Sequence, residues 1–83
     1  MPECAAVPSK RFEDDFRVLP NDIQRLVLNA INRIKANPHR GQKLRGVSVG
    51  EWRYRVGDCR IRYDLEGPTV YLHVVRHRQD VYR

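Results

Sequence analysis

The hydrophobic period of this 83-residue chain changes once, near residue 50, and that change restricts the fold more than any other feature. Before it, apolar residues recur at helical steps. Phe12, Phe16 and Leu19 stand at i, i+4 and i+7, and Ile23, Leu26, Val27, Ala30, Ile31 and Ile34 follow at steps of three and four. After it, the period is two. Trp52, Tyr54 and Val56 alternate with Glu51, Arg53 and Arg55; Cys59, Ile61, Tyr63 and Leu65 with Arg60, Arg62 and Asp64; Val70, Leu72 and Val74 with Tyr71, His73 and Val75. Gly57-Asp58 and Glu66-Gly67-Pro68 separate the three runs with turn chemistry. Three consecutive strands, each with one apolar face, predict an antiparallel meander. The helices are the only cover for that face. The expected architecture is α+β, an N-terminal helical hairpin packed on a small antiparallel sheet.

Boundaries follow from local chemistry. Ser9 is placed to cap a first helix that runs to about Leu19, where Pro20 ends it. A second helix starts at Asn21, with Gln24 three residues on in the pattern of a capping box, and stops at Asn37-Pro38. Leu19-Pro20-Asn21 then joins two antiparallel helices, with Asp14, Asp15, Arg25 and Arg33 on solvated faces. Residues 3–7 have the length of a short first strand before Pro8, although alanine is a poor strand former. The length supports one domain, residues 1–83, with one core. There is no internal repeat or low-complexity segment. No apolar run reaches the roughly 20 residues that cross a bilayer, and Met1 to Arg11 lacks the pattern of a secretory signal. The chain reads as cytoplasmic, with no membrane partner. Cys4 and Cys59 are far apart and lack metal-ligand spacing, so neither a zinc site nor a disulfide is expected.

Charge narrows the function. Sixteen Lys+Arg against ten Asp+Glu give +6, and thirteen of the cations are arginine. Residues 1–39 are nearly balanced at +1, whereas residues 40–83 carry +5. Arginine offers a planar fork that matches phosphate oxygens, so by composition an arginine-rich half fits a phosphate-rich partner, nucleic acid ahead of an anionic membrane surface, or a merely solvated basic face.

The register sharpens that inference. A two-residue turn at Gly57-Asp58 pairs Val56 with Cys59, Arg55 with Arg60, Tyr54 with Ile61, Arg53 with Arg62 and Trp52 with Tyr63. The apolar pairs go to the core. The arginines share the other face as two opposed like-charge pairs, an arrangement that disfavours the hairpin unless a polyanion lies across it. Continued through Gly67-Pro68, the count pairs Leu65 with Val70 and sets Arg62 beside His73. Arg76-His77-Arg78 follows and can curl over the same face, with Tyr82 within reach. Cations for the backbone and a ring for a base are what an unpaired nucleotide requires.

The segments Lys43-Leu44-Arg45-Gly46, Trp52 to Tyr63 and Val75 to Arg83 resemble the RelE/ParE toxin superfamily. So do Ser9 to Phe16 and the Leu19-Pro20 break. The likeness spans about residues 9–83 and points to the RelE-like branch. It implies the RelE-like fold and a toxin of a type II toxin–antitoxin system. Such a toxin is a ribosome-dependent, metal-independent endoribonuclease that cuts mRNA in the A site and stops translation, and it needs no cofactor. The ribose 2′-hydroxyl attacks the neighbouring phosphate and leaves a 2′,3′-cyclic phosphate. The implied partners are the ribosome, mRNA and a RelB-like antitoxin that wraps the toxin in a hetero-oligomer. Carried over position by position, the catalytic set is Arg53, Arg55, Arg60, Arg78 and Tyr82. Arg62, His73, Arg76 and His77 are the RNA-binding candidates. The alternatives are a ParE-like toxin that inhibits DNA gyrase by binding and a catalytically inactive RNA-binding relative.

Electrostatics agree with the implied chemistry, because fixed guanidinium groups can stabilise the charge that develops on phosphate and leaving oxygen. The second-strand basic positions, often lysine in the superfamily, are both arginine here. Arg53 and Arg55 can therefore stabilise charge but are poor bases. Tyr82 is a candidate for stacking or proton transfer. His73 and His77 are further proton-transfer candidates, since imidazole changes charge near neutral pH. The chain lacks the superfamily's usual strong first strand, and it ends at Arg83 without a C-terminal helix, leaving a gap that an antitoxin helix or strand can fill.

Overall fold

The computed structural model describes residues 4–77. Strand β1 is Ala5–Pro8, helix α1 Lys10–Arg17 and helix α2 Asn21–Ala36. A single 3-10 turn, Pro38–Arg40, leads to β2, Gln42–Lys43. Strands β3, Trp52–Val56, β4, Cys59–Glu66, and β5, Thr69–His77, complete the chain. They form one mixed sheet of five strands in the order β1-β5-β4-β3-β2. The α+β class is as expected, but the sheet is wider than the three-stranded meander. β2 extends it antiparallel at one edge, and β1 joins β5 parallel at the other. The two helices carry the chain from β1 at one edge to β2 at the other, so the parallel pairing of β1 with β5 is closed by the long connection that such a pairing requires. Pro8 is tolerated because β1 is an edge strand.

Ser9 Oγ accepts from the Phe12 amide at 3.0 Å and caps α1. The capping box expected at Asn21 and Gln24 does not form: the N-cap is Pro20, with no side-chain bond. Gln24 instead donates through Nε2 to the carbonyls of Phe16, at 2.9 Å, and Arg17, at 3.5 Å. It serves the last-turn carbonyls of α1 rather than the donors opening α2. Asn37 stops α2, its Oδ1 accepting from the His39 amide at 3.2 Å.

Val27, Ala30 and Ile34 of α2 are fully buried in one cluster with Phe12, Leu19, Cys59, Ile61, Tyr63, Val70, Leu72 and Val75. Each large aliphatic side chain removed from water contributes about 1.5–3 kcal/mol. Cys4 and Cys59 remain thiols. Trp52 lies at the margin of the core, stacked on Tyr63 at a centroid distance of 6.1 Å, with the His39 ring edge-on. The Tyr63 hydroxyl donates to the Pro38 carbonyl at 2.7 Å and accepts from the Gly41 amide at 3.2 Å. Burial pushes its pKa up, against the pull of the Gly41 N–H and with a further push from Tyr54. Among the described residues, no helix is long and apolar enough to cross a membrane.

Candidate nucleic-acid interface

The face of the sheet opposite the helices carries the cations. Gly57 adopts φ +55, the left-handed value that a two-residue hairpin with glycine first requires. The resulting β3–β4 register is the expected one, from Val56 with Cys59 to Trp52 with Tyr63. Arg55 thus faces Arg60, and Arg53 faces Arg62.

The β4–β5 pairing departs from expectation. It begins with Glu66 opposite Thr69 and holds through Leu65–Val70, Asp64–Tyr71 and Tyr63–Leu72, then shifts by one residue. Arg62 faces Val74 rather than His73, which is the extra residue of a β-bulge. The shift reverses the alternation beyond it. Val75 replaces the expected Val74 in the core, where it is 2% exposed. Arg76 comes to the outer face directly opposite Arg60, whereas without the bulge Val75 would stand there. Two cross-strand rows result: Arg55–Arg60–Arg76, and beside it Gln42–Arg53–Arg62–Val74. Three arginines abreast on adjacent strands form an open cationic row, and guanidinium forks match phosphate oxygens in general.

The candidates do not share one environment. Arg55, Arg60 and Arg76 are exposed. Arg53 donates through Nη2 to Gln42 Oε1 at 2.9 Å. Arg62 is a structural tie, with Nε donating to the Gly50 carbonyl at 2.7 Å and Nη2 to the Val49 carbonyl at 3.4 Å. The strand continues through His77, which the register sets beside Cys59 on the helix-facing side. The expected curl of residues 76–78 over the cationic face is therefore absent through His77, because the bulge brings Arg76 there within a regular strand. Arg78 and Tyr82 lie outside the described residues.

His73 and Asp64 form the acid–base pair of this face, with Nε2 and Oδ2 2.5 Å apart. The Asp64 carboxylate also accepts from the amides of Gly50 and Glu51, each at 2.8 Å. Burial pushes Asp64 up, but the Glu51 and Gly50 amides and the His73 ring outweigh it and hold the carboxyl below the usual range. Asp64 and Arg62 thus pin the chain before β3 onto the cationic face, from both its amides and its carbonyls. Asp64 was not among the expected site residues, although one signal was visible: it is the single acid in the outward series Arg60, Arg62, Asp64. The bulge also leaves the His73 carbonyl to accept from Ser9 Oγ at 2.8 Å, tying α1 to the same point. Among the described residues, no group of three His, Cys, Asp or Glu could hold a metal ion.

On the other side, Phe12, Phe16, Leu28, Ile31, Ala6 and Leu72 line an apolar groove between the helices and β1. Leu28 within it is 52% exposed.

No curated protein matches the chain at a significant level. Solved structures do. The toxin–antitoxin complex RelBE2 from Mycobacterium tuberculosis superposes with a TM-score of 0.84 and 27% identity, over 94% of each chain. The RelB–RelE complex from Methanococcus jannaschii gives 0.64 and 25%, over 92% of this chain and 94% of that one. The RelE–RelB complex from Pyrococcus horikoshii gives 0.75 at 19% identity, over 92% and 96%, a likeness of fold. The family model of the ParE toxin of type II toxin–antitoxin systems matches residues 7–82. With nearly the whole chain matched, and with this fold, the protein belongs to the RelE/ParE family of type II toxins.

Proposed function

We propose that this toxin is a ribosome-dependent endoribonuclease, acting in the cytoplasm on mRNA presented in the A site. The observation that carries the reading is the Arg55–Arg60–Arg76 row, which exists because the bulge at His73 turns Arg76 outward. A like-charge row costs folding stability and is useful where a polyanion neutralises it. In the proposed reaction the ribose 2′-oxygen bonds to the adjacent phosphorus and the bond to the 5′-oxygen breaks. One proton leaves the 2′-hydroxyl and one reaches the departing oxygen. Arg60, flanked on both sides, balances the charge of the crowded phosphorane, while Arg55 and Arg53 hold the neighbouring backbone. Arg78 and Tyr82 belong to the proposed set as residues that follow His77, with Tyr82 as stacking or proton-transfer group.

A cognate antitoxin completes the proposal, in keeping with neighbours solved as antitoxin–toxin complexes. The groove around Leu28 and Phe16 offers seats for its apolar side chains.

Primer extension on mRNA programmed in ribosomes tests the reading, with Arg60→Ala and Arg78→Ala as controls. Cuts within the A-site codon that vanish in both variants are the expected result. The ParE family match favours one other reading, inhibition of DNA gyrase by binding. Intact message together with blocked gyrase supercoiling would establish that reading and overturn the ribonuclease.

A further inference from the structure

Beside the arginine row lies a pocket of about 410 Å³ that the phosphate chemistry does not use. The chain before β3 supplies Val49 and Gly50, β4 supplies Arg62, the bulge supplies His73 and Val74, and Arg11 reaches in from the first turn of α1. Its composition is unusual for a cationic surface. Val49 is 58% exposed, and Val74 was turned out of the core by the same register shift that turned Arg76 out. Two aliphatic side chains therefore border a recess beside the arginine rows. Val49 is held there through both sides of its backbone neighbourhood: Arg62 grips the carbonyls of Val49 and Gly50, and Asp64 grips the amides of Gly50 and Glu51.

Most polar groups at the rim are already committed. Ser9 Oγ bonds His73 O and the Phe12 amide, His73 Nε2 meets Asp64, and Arg62 Nε is spent on Gly50. Arg11 differs: among the described residues its guanidinium makes no hydrogen bond or ion pair. The pocket thus offers apolar walls for a flat ring and one unspent donor fork at its edge, the combination that recognises an unpaired base.

We propose that this pocket takes the nucleobase next to the phosphate on the Arg55–Arg60–Arg76 row, with Arg11 reading acceptor atoms on the base edge. Arg62 and Val74 lie one pleat, about 7 Å, from Arg60 and Arg76, a span comparable to the reach from a phosphate across its ribose to the base. Asp64 acts here as a positioning residue, since it holds the Val49–Gly50 segment from outside the pocket, whereas Arg62 both holds that segment and lines the pocket. The inference deepens the ribonuclease reading by placing base selection at these residues.

Amide chemical-shift titrations with each of the four nucleoside 5′-monophosphates, and with ribose 5-phosphate as the baseless control, test it directly. The expected result is movement of the Val49, Gly50 and Val74 amides that differs among the four bases and is absent with ribose 5-phosphate. Val49→Ala and Arg11→Ala should each weaken the tightest nucleotide about tenfold, and Arg11→Ala should flatten the preference among bases. Equal movement with all five ligands, or unchanged affinities in both variants, would overturn the proposal. Its failure is separable from that of the ribonuclease: cuts on the ribosome without base-dependent shifts remove the pocket alone, and base-dependent shifts without cuts remove the nuclease alone.

Discussion

Arg60 and Arg76 stand directly opposite each other across β4 and β5, and Arg55 occupies the position on the other side of Arg60. Each opposed like-charge pair disfavours the sheet by an amount comparable to the roughly 0.2–1 kcal/mol that favourable pairs contribute. Arg60, having one on either side, bears the larger part.

Replacing that central charge should therefore separate stability from function. Arg60→Gln is expected to raise stability by about 0.5–1 kcal/mol at low salt, with the gain shrinking as salt screens the row. Cleavage should fall by about 100-fold or more, the usual loss for one stabilising donor. Urea unfolding at two salt concentrations, beside the ribosome assay, measures both; a variant less stable than wild type would contradict the account of the row.

Asp64 should make the protein acid-sensitive. Its carboxyl titrates lower in the fold than its unfolded value of 3.8, so the unfolded chain binds the proton more readily. The stabilisation is complete above that value and is lost as pH falls through the lower native one. Asp64→Asn should cost about 2 kcal/mol at neutral pH, as for a charged acceptor of two part-buried amides. The gap from wild type should close in acid. Urea midpoints followed from neutral to acid pH would show two parallel curves if Asp64 had no such role.

Tyr63 and Gly41 should behave as a coupled pair. Tyr63→Phe leaves the Pro38 carbonyl and the Gly41 amide unpaired, at about 1–3 kcal/mol. A methyl at Gly41 would press on the Tyr63 hydroxyl and come within 2.8 Å of the Arg53 carbonyl, so Gly41→Ala should cost about 1–3 kcal/mol. The double variant should be less unstable than the sum, because losing the hydroxyl relieves one of the two clashes. Additive thermal shifts would show that the two do not touch.

The apolar groove yields a prediction about the partner. Leu28→Glu places a charge on a half-exposed helix position and should change stability by no more than about 0.5 kcal/mol. If the antitoxin seats there, its affinity should drop at least about tenfold while cleavage by the variant toxin persists. Calorimetry of the toxin–antitoxin pair decides; undiminished affinity would place the antitoxin elsewhere.

What could be read from the chain alone was what depends on near neighbours. Gly57-Asp58 is a two-residue turn, and turn geometry dictates pairing for as long as the ladder stays regular; hence all five β3–β4 pairs, and with them Arg55 opposite Arg60, followed from counting. The α2 stripe, the Ser9 cap and the breaks at Pro20 and Pro38 are equally local. Tertiary structure decided whatever required two distant segments to be fitted together. The bulge at His73 is invisible to a period-two count, because Val74 and Val75 are equally apolar and only packing against the helices selects Val75 for the core. That one choice moved Arg76 onto the cationic face and His77 off it. The parallel seat of β1, the turn of Gln24 toward α1, and the use of Arg62 and Asp64 to bind the chain before β3 have the same origin. Each satisfies backbone groups many residues away, and a pattern of side chains along one segment carries no record of which distant carbonyl will need a donor.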